Sequence, residues 1–165
     1  ACSTEQEPSK DKLREEITAL EQTLLQQADT PTIDTGSAVT LIGKVESYAS
    51  RFPQDSMTPH LLFRNADVAR GIGQPQQAID MYSQVVREYR DFPKLAEAMF
   101  FRAFTADNNL EDKDLADQYY RAFIRAYPDH RMTKDAKLLL EVLNSGKTPN
   151  ELIREFQEKQ KNEGE

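Results

Sequence analysis

The side chains able to do chemistry are few and far apart. Cys2 is the single cysteine, so an internal disulfide is excluded and its sulfur can act only as a lone thiol. His60 and His130 have no cysteine beside them and no H-x-x-x-H spacing, so each reads as a helix-start surface residue and not as a metal ligand. Gly71-Ile72-Gly73 precedes a helix, where backbone N–H groups can cradle a phosphate. It lacks a third glycine, a preceding strand and a following Lys-Ser/Thr, so it reads as the turn between two helices. Glu111, Asp112 and Asp114 cluster at another helix start, where carboxylates complement the helix dipole. A calcium ion there would need a fixed cage of oxygens, and nothing in the pattern dictates one. The expectation is a protein without enzymatic activity, with no catalytic residue, cofactor or metal.

What must position these residues is a set of helices. The 165 residues are 38% hydrophobic with only six glycines, which suits a helical protein of one domain. A net charge of −7 argues against nucleic acid or an anionic membrane surface as the principal partner. No apolar run approaches the ~20 residues of a membrane span.

The organising stretch is Leu95 to Pro128. One amphipathic helix is expected over about Lys94–Asp107, carrying Ala98, Met99, Phe101, Ala103 and Phe104. A second is expected over about Asp112–Ala126, carrying Leu115, Ala116, Tyr119, Tyr120, Phe123 and Ile124. Between them Asn108 and Asn109 are the residues expected to take left-handed backbone. The stretch recurs upstream. Met99–Ala103 falls on Leu62–Ala66 at an offset of 37, and Leu115–Tyr120 on Gln77–Tyr82 at 38. Helix-ending aromatics recur at Phe52, Tyr89 and Tyr127, again 37 and 38 apart. Ala78/Tyr82 and Ala116/Tyr120 pair a small residue, which lets helices approach, with an aromatic that fills the space beyond.

Gly73-Gln74-Pro75-Gln76-Gln77-Ala78-Ile79-Asp80-Met81-Tyr82 resembles the G-x-x-x-x-A-I-x-x-(Y/F) segment of the tetratricopeptide repeat, a helix–turn–helix unit of roughly 34 residues. The resemblance covers about Ala38 to Leu143. Ala66 and Ala103 stand where that family has a glycine, Arg90 stands where it has a proline, and the spacing is a few residues long. Self-similarity of this kind could also arise in an irregular bundle. The resemblance implies an all-α solenoid of about eight helices, with repeats over 37–145. It also implies a groove lined by the first helix of each pair. Carried over by position, the groove residues are His60, Phe63, Asp67 and Arg70 in one repeat and Glu97, Phe100, Phe104 and Asp107 in the next. The phenylalanines could equally be core. The family's carboxylate clamp needs more basic residues and asparagines in this row than Asn65 and Arg70 supply.

The flanks follow. Residues 1–9 read as a tether, and 10–28 as a capping helix with a seam of Leu13, Ile17, Leu20 and Leu24, too short to argue a coiled coil. Oligomerisation through that seam is the alternative; a monomer is favoured. Asp29 to Gly36 reads as a linker, followed by helices from Ser37 to Arg51, Met57 to Arg70 and Pro75 to Tyr89. Ser56 or Thr58 is expected to cap the third, and Asp129 to open the seventh. Gly146 should supply a left-handed cap, and Thr148-Pro149-Asn150-Glu151 a capping box for a final helix over 148–160. Leu152, Ile153 and Phe156 make one apolar stripe, and 161–165 a charged tail.

Cys2 after a small residue, ahead of a polar tether, resembles the start of a mature bacterial lipoprotein, which implies a signal peptide cut before an acylated Cys2. An incidental thiol is the other reading. Together the resemblances imply a scaffold that docks a protein of the cell envelope, held at the periplasmic face of the outer membrane by lipid alone. The barrel-assembly lipoprotein and the Tol–Pal coordinator are the envelope groups it resembles. A soluble adaptor or co-chaperone without an anchor is the alternative.

Overall fold

The computed structural model describes the backbone of residues 7–27 and 34–162. Among these residues lie eight helices and no strand: α1 (Lys10–Gln26), α2 (Thr35–Arg51), α3 (Thr58–Gly71), α4 (Pro75–Glu88), α5 (Leu95–Asn108), α6 (Lys113–Ala126), α7 (Thr133–Ser145) and α8 (Pro149–Asn162). They form an all-α helical-repeat fold of the solenoid class, arranged as two compact units, residues 1–92 and 93–165. The expected tether and Cys2 lie largely outside the described residues, as do most of the 29–36 linker and the end of the tail.

In the first unit each helix buries one face because its apolar residues recur at helical spacing. Ile17, Leu41, Ile42, Val45, Tyr48, Leu62, Ala66, Ala78, Ile79, Tyr82 and Val85 are essentially inaccessible. Of the seam on α1, Leu13 and Ile17 are buried, while Leu20 and Leu24 are only half-buried. In the second unit the centre is built from Ala98, Ala103, Ala106, Ala116, Tyr120, Phe123 and Ala136. The alanines admit close helix approach and the aromatics fill the remaining space. Leu152 of α8 is buried and Ile153 is exposed; the Phe156 side chain lies outside the described set.

The repeat is written most clearly in three corners. Phe52, Tyr89 and Tyr127 cap α2, α4 and α6 with nearly one conformation, at φ/ψ of −129/56, −123/66 and −134/63°. Each donates its N–H to the carbonyl four residues back, and three residues on a backbone N–H returns to its own carbonyl (Asp55, Phe92 and His130). At the outer corners a buried threonine hydroxyl donates to the same carbonyl: Thr58 to Phe52 at 2.7 Å and Thr133 to Tyr127 at 2.5 Å. The middle corner has Leu95 in the sequence where the outer corners have threonine, and its Phe92 is buried.

These corners correct several expectations. Neither Ser56 nor Thr58 caps α3: Met57 holds the cap position, and its N–H is taken by the Asp55 carboxylate at 2.9 Å. Asp129 does not open α7, which begins at Thr133 because the corner needs the intervening residues; there the His130 Nδ1 accepts the Met132 N–H at 3.3 Å. The left-handed residue of the α5–α6 turn is Glu111 at φ 57°, not either asparagine. It stands 38 residues after Gly73, whose φ is 77°, so one slot of the turn demands this backbone in both repeats. Asp34 caps α2 two residues earlier than expected, accepting from the Ser37 N–H and hydroxyl. Gly146 does take a left-handed cap at φ 67°. Thr148 and Glu151 close the expected box, the Thr148 N–H donating to Glu151 at 2.7 Å and the Glu151 N–H to Thr148 at 3.3 Å.

Candidate functional site

The first helix of each repeat carries the residues singled out by position, and each unit presents its own set. On α3, Phe63 is only 8% exposed, so it is a core ring. It packs edge-on to Tyr82 at 5.9 Å and tilted on Phe92 at 5.7 Å. His60 is exposed and rests its ring edge on Phe92 at 5.0 Å. Phe92, from the following corner, therefore decides where both rings go. Asp67 is exposed and fixed from two sides: the Tyr82 hydroxyl donates to it at 2.8 Å, and Arg70 Nη2 at 3.0 Å. Burial, and then the Asp67 charge, push the Tyr82 phenol well above its ordinary range, so it stays a donor.

On α5, Phe100 is likewise a core ring at 6% exposure, set edge-on to Phe101, Tyr120 and Phe123. Phe104 is half-buried and lies nearly parallel to Phe100 at 6.3 Å between centroids. Glu97 is half-buried and meets Arg131, from the corner before α7, at 3.5 Å. Asp107 accepts the Tyr120 hydroxyl at 3.2 Å. Burial raises the Asp107 carboxyl above the ordinary carboxylate range, against the opposing pull of that hydrogen bond. In both repeats, then, a buried tyrosine of the second helix holds a carboxylate of the first in place. Asp67 and Asp107 are not at equivalent positions, so the two faces share the device but not the pattern.

Two clusters have no counterpart in the sequence reading. Glu21 of α1 accepts from Arg64 of α3 through Nη2 at 2.9 and 3.1 Å and through Nε at 3.3 Å, and a fourth bond from the Asn65 amide at 3.0 Å. Asn65 is fully buried, its amide also donating to the Leu61 carbonyl. Beside this cluster a cavity of about 520 Å³ is lined by Leu24, Leu25, Leu41, Val68 and Ile72, with Leu25 73% exposed. In the second unit the Arg102 guanidinium lies 3.9 Å over the Tyr119 ring, and burial lowers its proton affinity. Long-range polar pairing, such as that of Arg64 and Asn65 on α3 with Glu21 on α1, has no spacing rule by which a sequence reveals it.

The arrangement supplies fixed carboxylates, half-buried rings and paired cations, which are groups for holding another molecule. Among the described residues no three His, Cys, Asp or Glu side chains converge as a metal cage. His60 and His130 lie in different units, and His130 is engaged by the α7 corner. No helix among the described residues is long and apolar enough to cross a membrane.

A family model described as tetratricopeptide repeat matches residues 61–91 and 94–130. The first span covers nearly all of α3 with α4, the second α5 with α6 and the corner that follows. No curated protein matches the chain at significant similarity.

Proposed function

From the match of a tetratricopeptide repeat model to two spans of the chain, we propose a non-enzymatic scaffold that docks a protein partner on the first-helix faces of its repeats. The observation that carries this reading is the pair of tyrosine-held carboxylates. Tyr82 and Tyr120 fix Asp67 and Asp107 at the ends of their helices, beside Arg70 and Phe104. A carboxylate whose geometry is set in advance loses little entropy on meeting a donor, which favours selective recognition over reaction. We further propose that the scaffold works as a monomer in the bacterial cell envelope. There an acylated Cys2 holds it to the outer membrane on the periplasmic side. The support is the lone cysteine followed by a short polar segment, and several acyl chains together give a stable anchor.

Two experiments test the parts separately. A photo-crosslinking residue placed at His60, Asp67, Glu97 or Phe104 should capture one partner. The same residue at exposed second-helix positions Asp80 or Gln118 should not. Capture of that partner from the second helices alone would overturn the docking face. For the anchor, Cys2→Ser should move the protein from the membrane fraction to the soluble fraction with its helix content intact. Retention of the variant on membranes after a high-salt wash would remove the lipid from the reading and favour the unanchored adaptor.

A further inference from the structure

The residues leading into α1 are fastened to one end of the first unit. Arg51 Nη2 donates to the Pro8 carbonyl at 2.9 Å, and Arg51 Nε lies 3.3 Å from the Glu7 carboxylate. Lys10 Nζ bonds Asp55 in the first corner at 2.8 Å, and Ser9 caps α1 through the Lys12 N–H. Tyr89 brings the end of α4 to the same place, its hydroxyl donating to the Pro53 carbonyl at 2.9 Å. This end of the unit therefore holds residues 7–10, the first corner and Tyr89. At the opposite end lie Leu24, Leu25 and Ile72 around the apolar cavity.

Cys2 precedes Glu7 by five residues. A chain of that length, fully extended at about 3.3–3.6 Å per residue, reaches no more than about 18 Å. With residues 7–10 tied to Arg51 and Asp55, the anchor cannot let the unit turn over freely. We propose that the acylated chain presents the Arg51–Asp55 corner end of its first unit to the lipid headgroups and turns the Leu24–Leu25–Ile72 cavity away from the bilayer. The inference rests on the acylation of Cys2 proposed above. The surface involved carries both signs, with Lys10, Lys12 and Arg51 set against Glu7, Asp11 and Asp55. Orientation is thus fixed by the short tie and not by attraction to lipid charge.

The test uses the full acylated chain in vesicles of phosphatidylethanolamine and phosphatidylglycerol doped with a nitroxide-headgroup lipid. A fluorophore is attached at Gln54→Cys, in the corner, or at Gln76→Cys, in the first turn of α4. These sites are separated by about the length of a 14-residue helix, about 21 Å. The corner label should be quenched several-fold more strongly at low salt. Equal quenching, or stronger quenching at Gln76→Cys, overturns the orientation. Arg51→Ala combined with Asp55→Asn should bring the two labels toward equal quenching; an undiminished difference would mean the tie is not what orients the unit and also overturns it. Absence of acyl mass on the purified chain, or failure to float with vesicles, instead refutes the anchor itself.

Discussion

Gly73 and Glu111 occupy one left-handed slot in two copies of the same turn, at φ 77 and 57°. That makes a matched experiment possible. A side chain in this region costs about 1–2 kcal/mol through crowding of Cβ against the backbone. Replacing glycine also removes about 0.4–1 kcal/mol of unfolded-state freedom, which offsets part of the cost. A Cβ built on Gly73 meets nothing within 4 Å, so the penalty is carried by the backbone alone. Gly73→Ala should therefore destabilise by about 1 kcal/mol. Glu111→Gly reverses the sign, less a few tenths of a kcal/mol for a carboxylate lost beside the α6 N-terminus, and should stabilise by about 0.5 kcal/mol. For a chain of this length the expected shifts in midpoint are a fall of about 2–4 °C and a rise of about 1–2 °C. Thermal unfolding followed by far-UV circular dichroism reads both. A Gly73→Ala protein as stable as the parent, or a Glu111→Gly protein less stable, would refute the equivalence of the two turns.

Ala116 is fully buried between helices, so Ala116→Leu should overpack that contact by about 1–3 kcal/mol, and an unchanged melting temperature would contradict the packing. Thr133→Val keeps shape but removes the hydroxyl bond to the Tyr127 carbonyl, which retains the His130 N–H; a loss of about 0.5–1.5 kcal/mol in urea unfolding is expected. Asp107 has its carboxyl raised by burial, so its ionisation costs the folded state more than the unfolded one. That cost begins as pH rises through the unfolded value and is complete above the folded one, so Asp107→Asn should raise the melting temperature at pH 7 and leave it unchanged at pH 3. Deleting 148–165 removes Leu152 from its buried seat and uncovers α7; a lower midpoint or aggregation by light scattering is expected.

The repeat was legible because it is written in volume. Ala78/Tyr82 and Ala116/Tyr120 stand at the spacing that two packed helices need, and all four are buried. The corners were less legible, since their logic is backbone and not pattern. Thr58 looks like a cap for the helix it begins, yet its hydroxyl turns back to the carbonyl of Phe52. Asn108 and Asn109 tolerate left-handed backbone, but the turn geometry hands that conformation to Glu111, which has no preference for it. Local propensity lost to the register set by packing. At the candidate site, the sequence could place Phe63 and Phe100 on their helices but not say which way they would be covered. Phe92, from the following corner, covers the first; Tyr120 and Phe123, from the partner helix, cover the second. The residues before α1, expected as a bare tether, are tied down by Arg51, a residue 43 positions away.

The likeness of the three corners bears on how such a chain can change over time. Phe52, Tyr89 and Tyr127 leave their helices along the same backbone path although their neighbours differ: Pro53, Arg90 and Pro128 follow them. The join is therefore indifferent to which repeat comes next. A recombination between two of these points would add or remove a whole 37- or 38-residue module without leaving a helix end uncapped. Repeat number becomes something a lineage can vary in single steps, with the modules between the joints free to diverge in what they hold.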